Sequence, residues 1–243
     1  MRYFIWFSYD GGRYHGWQLQ PNGVTVQSEL QRCLSVLLRQ EVAVTGAGRT
    51  DAGVHARRMA AHFDVEQLPM STADLTHRLN GMLPYDIGVS AVEPVAADMH
   101  ARFSALARTY HYYVHTRKDP FLQQFSLEIH YQLDFPLMNE AARLLTTYED
   151  FGAFCKAGSD VKTTICHVTH AQWHQTSDTT WYFEITANRF LRNMVRAVVG
   201  TLVEVGRHRL SLADFCQVIE QGRRTQAGES MPAKALFLED VRY

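Results

Sequence analysis

The chain has 243 residues, 46% of them hydrophobic and 20% charged, a composition that excludes a disordered or low-complexity protein and suffices for one large core or two modest ones. No apolar run reaches membrane-spanning length and no basic-then-apolar leader opens the chain, so a cytoplasmic protein without a membrane partner is expected. The net charge of −1 excludes a strongly basic binder, yet all but four of the 24 basic residues are arginine, whose planar fork grips phosphate and stacks on bases; an arginine-lined RNA cleft and a set of surface solubilisers both fit.

Arg2 to Asp10 alternates as a first strand, with Phe4, Trp6 and Ser8 on one face and Tyr3, Ile5 and Phe7 on the other; bulk on both faces predicts a central position. Asp10-Gly11-Gly12 turns the chain. Tyr14 to Gln20 then mixes aromatics with amides, which suits either core packing or contact with unpaired bases. Thr25 caps a helix to Gln40 whose Val26, Leu30, Cys33, Leu34, Leu37 and Leu38 share one face. Val42-Ala43-Val44 reads as a strand leading into the glycine-rich stretch Thr45 to Ala56. Ala60 to Val65 continues as a strand, Ser71 to Asp74 forms a capping box for a helix to about Leu79, and Ile87 to Val92 is a further strand. A first domain, residues 1–103, closes here.

The link His100 to Ala105 spans the boundary to a second domain, residues 104–243, whose first strand is Thr109 to Val114. Tyr110 there is either a sheet-packing aromatic or a platform for a base. Leu137 to Leu145 is helical and Phe151 to Ala157 a short turn or helix. His167 to His174 and Thr179 to Thr186 form a hairpin across Gln175 to Asp178. Arg189 to Val205 is the longest helical pattern, on which Arg189, Arg192 and Arg196 step at three and four along one face; Arg196, deepest in the apolar run, is expected to meet a carboxylate. A capping box at Ser211 to Asp214 opens a helix to about Gln221, and Ala235 to Val241 ends the chain as a strand.

Cys33, Cys155, Cys166 and Cys216 are scattered without a Cys-x-x-Cys pair, which favours free thiols over disulfides or a zinc site. His111/His115 and His170/His174 recur at four-residue spacing, but in strand-like segments without an accompanying carboxylate motif, so no metal site is expected.

The chemistry concentrates at Thr45-Gly-Ala-Gly-Arg-Thr-Asp-Ala-Gly-Val-His-Ala56, where Gly46, Gly48 and Gly53 bracket Arg49 and Asp51. Such a loop can be a plain turn, or a fixed platform for Asp51 with a guanidinium on the same face. Neighbouring arginines favour the ionised carboxylate, which can act as nucleophile or base. A phosphate-transfer enzyme is the rival, disfavoured because the loop lacks both the phosphate-binding lysine motif and the dinucleotide fingerprint.

Gly46 to Ala56 resembles the signature loop of the tRNA pseudouridine synthase A (TruA) family. The resemblance extends over nearly the whole chain, through Tyr9-Asp10-Gly11, Tyr14 to Gln18, His100 to Ala105, Arg108-Thr109-Tyr110, Phe190 to Arg196 and Val199-Gly200. It implies an α+β pseudouridine synthase fold, two similar α/β halves around a continuous mixed, mostly antiparallel sheet with flanking helices and a central cleft. It implies an isomerase that converts uridine to pseudouridine at positions 38, 39 and 40 of the tRNA anticodon arm, working as a homodimer on RNA and not DNA. Asp51 would attack the target uridine, Arg196 pair with Asp51, Tyr110 pack against the base, Arg49 hold the uridine out of the stack and Leu236 line the pocket. Breaking N1–C1′ and rejoining through C5 is redox-neutral, so no cofactor and no metal is implied. Ala235, where the family commonly has glycine, and Met99, where it often has phenylalanine, are departures. A catalytically silent tRNA-binding or chaperone protein of the same fold is the alternative; it would need only the arginines.

Overall fold

Bulk on both faces of the first strand is explained by its neighbours: β1 (Arg2–Tyr9) lies between β3 (His55–Asp64) and β4 (Ile87–Val95), antiparallel to both, and Tyr3 to Phe7 are all buried. The computed structural model describes residues 1–159 and 161–243. It divides into two units, Met1–Leu106 with Phe237–Tyr243, and Ala107–Leu236. The architecture is α+β with mixed sheet pairing. Among the described residues no helix is long and apolar enough to cross a membrane.

In the first unit the strand order is β4-β1-β3-β9, with β9 (Leu236–Arg242) parallel to β3 at His55↔Phe237 and Ala56↔Leu238. α1 (Val26–Leu38) starts at a full capping box, Thr25 with Ser28, and buries Val26, Leu30, Cys33, Leu34 and Leu38. α2 (Thr72–Met82) carries half a box: Ser71 accepts from Asp74 N–H, while the Asp74 carboxylate takes the Ser71 hydroxyl.

Val42 to Val44 alternates like a strand yet joins no ladder. Side chains of α1 take its backbone groups instead: Ser35 Oγ accepts from Val42 N–H, Gln31 Oε1 from Val44 N–H, and Gln27 Nε2 donates to Val44 O. The pairing begins one step later, where β2 (Thr45–Gly46) meets His62 and Ala61. β3 also starts earlier than its apolar run suggests, taking in His55 and Ala56 at the end of the glycine stretch.

In the second unit β5 (Ala107–His115), β8 (Thr180–Ala187) and β7 (Val168–Ser177) run antiparallel in that order, with the two-residue β6 (Leu127–Glu128) parallel to β5. Tyr112, Phe183 and Trp173 line up across the three strands on the buried face. α3 (Phe135–Leu144) covers the end: Phe135 stacks on Trp181 at 3.8 Å and meets Trp173 edge-on. Its Asn139 amide bonds both the N–H and C=O of Trp173, capping the edge strand. α3 starts two residues before the apolar run suggests, capped by Asp134. α5 (Leu212–Gln221) has the full capping box Ser211 with Asp214.

α4 (Met194–Gly206) is buried at every position except Arg196 and Glu204, as befits a helix apolar all round. It starts five residues later than its pattern suggests. Asn193 sits in the left-handed region at φ 66°, and the preceding residues turn through Met194 N–H to Leu191 O. Arg189 and Arg192 therefore precede the helix and share no face with Arg196; Arg189 reaches Thr163 O, and Arg192 O accepts from Lys156 N–H.

Candidate active site

In the first unit the glycine stretch is held from beneath. Thr50 is buried, its hydroxyl 2.8 Å from Tyr9 Oη and its carbonyl accepting from Trp17 N–H at 3.2 Å. Ala47 N–H donates to Ala60 O at 2.8 Å. Asp51 to Val54 form a tight turn closed by Val54 N–H to Asp51 O at 3.1 Å, and Gly53 takes the φ of 78° that such a turn requires of its third residue. His55, 1% exposed, fixes the exit: its Nδ1 accepts from Gly11 N–H at 3.0 Å and its ring stacks on Phe237 at 4.5 Å. Asp51 is half-buried and Arg49 exposed, the two flanking inward-facing Thr50.

The aromatic segment Tyr14 to Gln20 resolves into core packing at Tyr14 and Trp17, both buried. Its backbone comes so close to the loop that a Cβ on Gly16, itself at φ 83°, would lie 2.5 Å from Thr50 O. Tyr14 Oη donates to the buried Asp86 carboxylate at 2.5 Å and Arg13 pairs with its other oxygen at 2.8 Å; burial, then this contact, pushes the Tyr14 hydroxyl far up. The sequence reading gives Asp86 no role, and His55 enters it only as a letter of the glycine stretch.

The link His100 to Ala105 folds on itself: His100 Nδ1 accepts from Arg102 and Phe103 N–H, and Ser104 Oγ from His100 N–H. Ala101 N–H donates to His62 Nδ1 at 3.1 Å. Burial, with help from nearby Arg2 and His100, pushes the His62 pKa down to about 4, so His62 is a neutral acceptor at pH 7. Arg102 and Phe103 remain exposed, the guanidinium over the ring.

In the second unit Tyr110 is half-buried on β5, with Phe190 edge-on at 5.0 Å. Arg196 emerges from the first turn of α4. Its Nε donates to Met231 O at 2.5 Å, and Met231 N–H returns a bond to Arg196 O at 3.1 Å. The segment 227–231 is itself built around Arg224, which reaches Ala227 O, Gly228 O and Ser230 Oγ, and it is seated on α4 by Gly228 N–H to Thr201 Oγ1. This seat requires Gly200, where a Cβ would meet Glu229 O at 1.8 Å. Nothing in the sequence reading pointed to Arg224 or Ser230; the polar run between Gly228 and Pro232 was the available signal. Leu236 is buried at the start of β9, and Ala235, fully buried, has no left-handed φ that would demand glycine. Among the described residues, the side chains with metal-ligand spacing lie elsewhere, at His170, His174 and Glu184.

A carboxylate on a rigid glycine turn suits nucleophilic or basic work. The family model described as tRNA pseudouridine synthase matches residues 5–104 and 141–243. The tRNA pseudouridine synthase A of Bacteroides fragilis is 54% identical over 242 residues, covering 100% of this chain and 96% of its own length. That of Bacteroides thetaiotaomicron is 55% identical, covering 100% and 90%, and that of Chlorobaculum tepidum 41%, covering 97% and 95%. The chain belongs to the tRNA pseudouridine synthase A family, isomerases that turn uridine into pseudouridine in tRNA.

Proposed function

We propose that this enzyme modifies uridines 38, 39 and 40 in the anticodon arm, acting in the cytoplasm as a homodimer, with Asp51 as the attacking group. The observation that carries the assignment of Asp51 is its platform: the turn Asp51 to Val54 is closed by its own hydrogen bond and flanked by Thr50, held by Tyr9 and Trp17, and by His55, held by Gly11, while Asp51 itself is half-buried. A group held this way loses little freedom when it reacts. In this reading the target uridine is flipped from the stack, with Arg49 holding it there, Tyr110 against the base and Leu236 beneath it. In this reading Arg196 is the counter-charge of Asp51. The N1–C1′ bond breaks, the detached uracil turns, and C5–C1′ forms while the C5 proton is lost and N1 gains one; atoms and electrons balance within the nucleoside. Exposed arginine–aromatic pairs such as Arg102 with Phe103 and Arg13 with Tyr85 suit stacking and phosphate contacts to RNA.

Mapping pseudouridine at single-nucleotide resolution in tRNA from cells with and without this protein tests the reading. Loss at positions 38 to 40 alone is expected. Loss at other positions instead would leave the isomerase standing and overturn the anticodon-arm assignment.

A further inference from the structure

We propose that His170, His174 and Glu184 form a binding site for one divalent first-row transition-metal ion, zinc being the best fit, on the face of β7 and β8 opposite Trp173 and Phe183. The strands bring together what the sequence separates. His170 and His174 share a face of β7, and Glu184 of β8 stands opposite Gln172, diagonally between them. Four residues along a strand span about 13 Å, yet the two imidazole centroids are 6.2 Å apart, so both rings lean inward toward the carboxylate. The acidic ligand that the four-residue histidine spacing lacks is thus supplied by the neighbouring strand.

The distances discriminate between a proton and a metal. His170 Nε2 lies 3.7 Å from Glu184 Oε1 and His174 Nε2 3.8 Å from Oε2, and one ligand atom from each residue falls within 4.8 Å of the others. A charge-assisted hydrogen bond would draw each pair to about 2.8 Å. Ligand atoms around a tetrahedral zinc with bonds of about 2.0–2.1 Å are about 3.4 Å apart, so a small contraction closes this set on an ion. His174 Nε2 is screened from solvent and has no hydrogen-bond partner among the described residues, which leaves a lone pair that a cation would satisfy.

The surroundings hold the donors in place. The His174 ring stacks on Tyr182 at 4.9 Å. His111, directly opposite Glu184 on β5, places Nε2 3.3 Å from Glu184 Oε2 while its Nδ1 sits 3.2 Å from Tyr113 Oη. His111 thereby orients the carboxylate as outer partners of metal ligands do. His170 and Glu184 are 41% and 27% exposed at the side chain, so an ion can reach the set from their side and keep water as the fourth ligand. The bound ion clamps edge strand β7 to β8; it has no part in the isomerisation.

The test is titration of the chelator-treated full-length protein with zinc chloride, followed by calorimetry and thermal melting. One zinc per chain is expected, with Tm raised by roughly 5–10 °C at a hundredfold excess over Kd. Glu184→Gln and His174→Gln should abolish both effects while melting like the parent in the absence of zinc, and His111→Phe should weaken binding at least about tenfold. Cobalt(II) added to the parent protein gives an independent reading: a nitrogen- and oxygen-ligated spectrum without a thiolate band is expected. No saturable zinc uptake, uptake unchanged in both variants, or a thiolate band would overturn the site.

Discussion

Two polar regions, one in each unit, treat their hydrogen bonds in opposite ways. Around Asp51 the loop is internally bonded: Thr50 meets Tyr9 and Trp17, the Asp51 carbonyl meets Val54, and His55 meets Gly11, all within 2.8–3.2 Å. Around Glu184 the nearest nitrogens stand back at 3.3–3.8 Å. The same residue type serves both ends of this contrast. His62 is buried and accepts from a backbone N–H group, whereas His170 and His174 converge, partly exposed, on a carboxylate they do not bond. Closed hydrogen bonds fix a shape against which chemistry can be done; donors held just apart are a set that a ligand completes.

If the loop region is as full as its bonds suggest, Gly16→Ala should cost about 3 kcal/mol or more, because the new Cβ meets Thr50 O while the backbone stays at positive φ. Denaturant unfolding checks this, and a neutral result would break the comparison. A smaller effect is expected at His62. Its folded pKa, about 4, lies below its usual 6.5, so the unfolded chain takes up the proton first. Its contribution is complete above pH 6.5 and lost as pH falls toward 4, an amount of at most about 3 kcal/mol. Stability measured across that window should flatten in His62→Gln. The smallest effect is expected at Gly48→Ala, under about 0.5 kcal/mol, since a Cβ there meets nothing within 4 Å. A large loss at Gly48 would show that the loop is tightly packed on its outer side as well.

Legibility followed the range of the interaction. Caps at Thr25, Ser71 and Ser211 are local, and the helices they open stood where the spacing predicted. The central place of β1 was visible because both its faces are bulky. Val42 to Val44 misled because its alternation is satisfied by side chains of α1 and not by a strand. The start of α4 was hidden because Asn193, which departs from helix at φ 66° and donates to Ser230 Oγ, depends on a partner 37 residues away. Arg49, Asp51, Tyr110 and Arg196 were picked out by motif and resemblance. The segment around Ser230 that grips Arg196, and the Glu184 that joins two spaced histidines, depend on strand register and long-range packing that spacing does not carry.

The proposed chemistry depends on the charge of one carboxylate, that of Asp51. Asp51→Asn keeps the shape of the loop and removes that charge, so single-turnover pseudouridine formation with anticodon-arm tRNA, measured beside tRNA binding, tests it directly. Turnover should fall by at least about 10⁴-fold with binding nearly unchanged. Turnover within about tenfold of the parent would contradict the role given to Asp51.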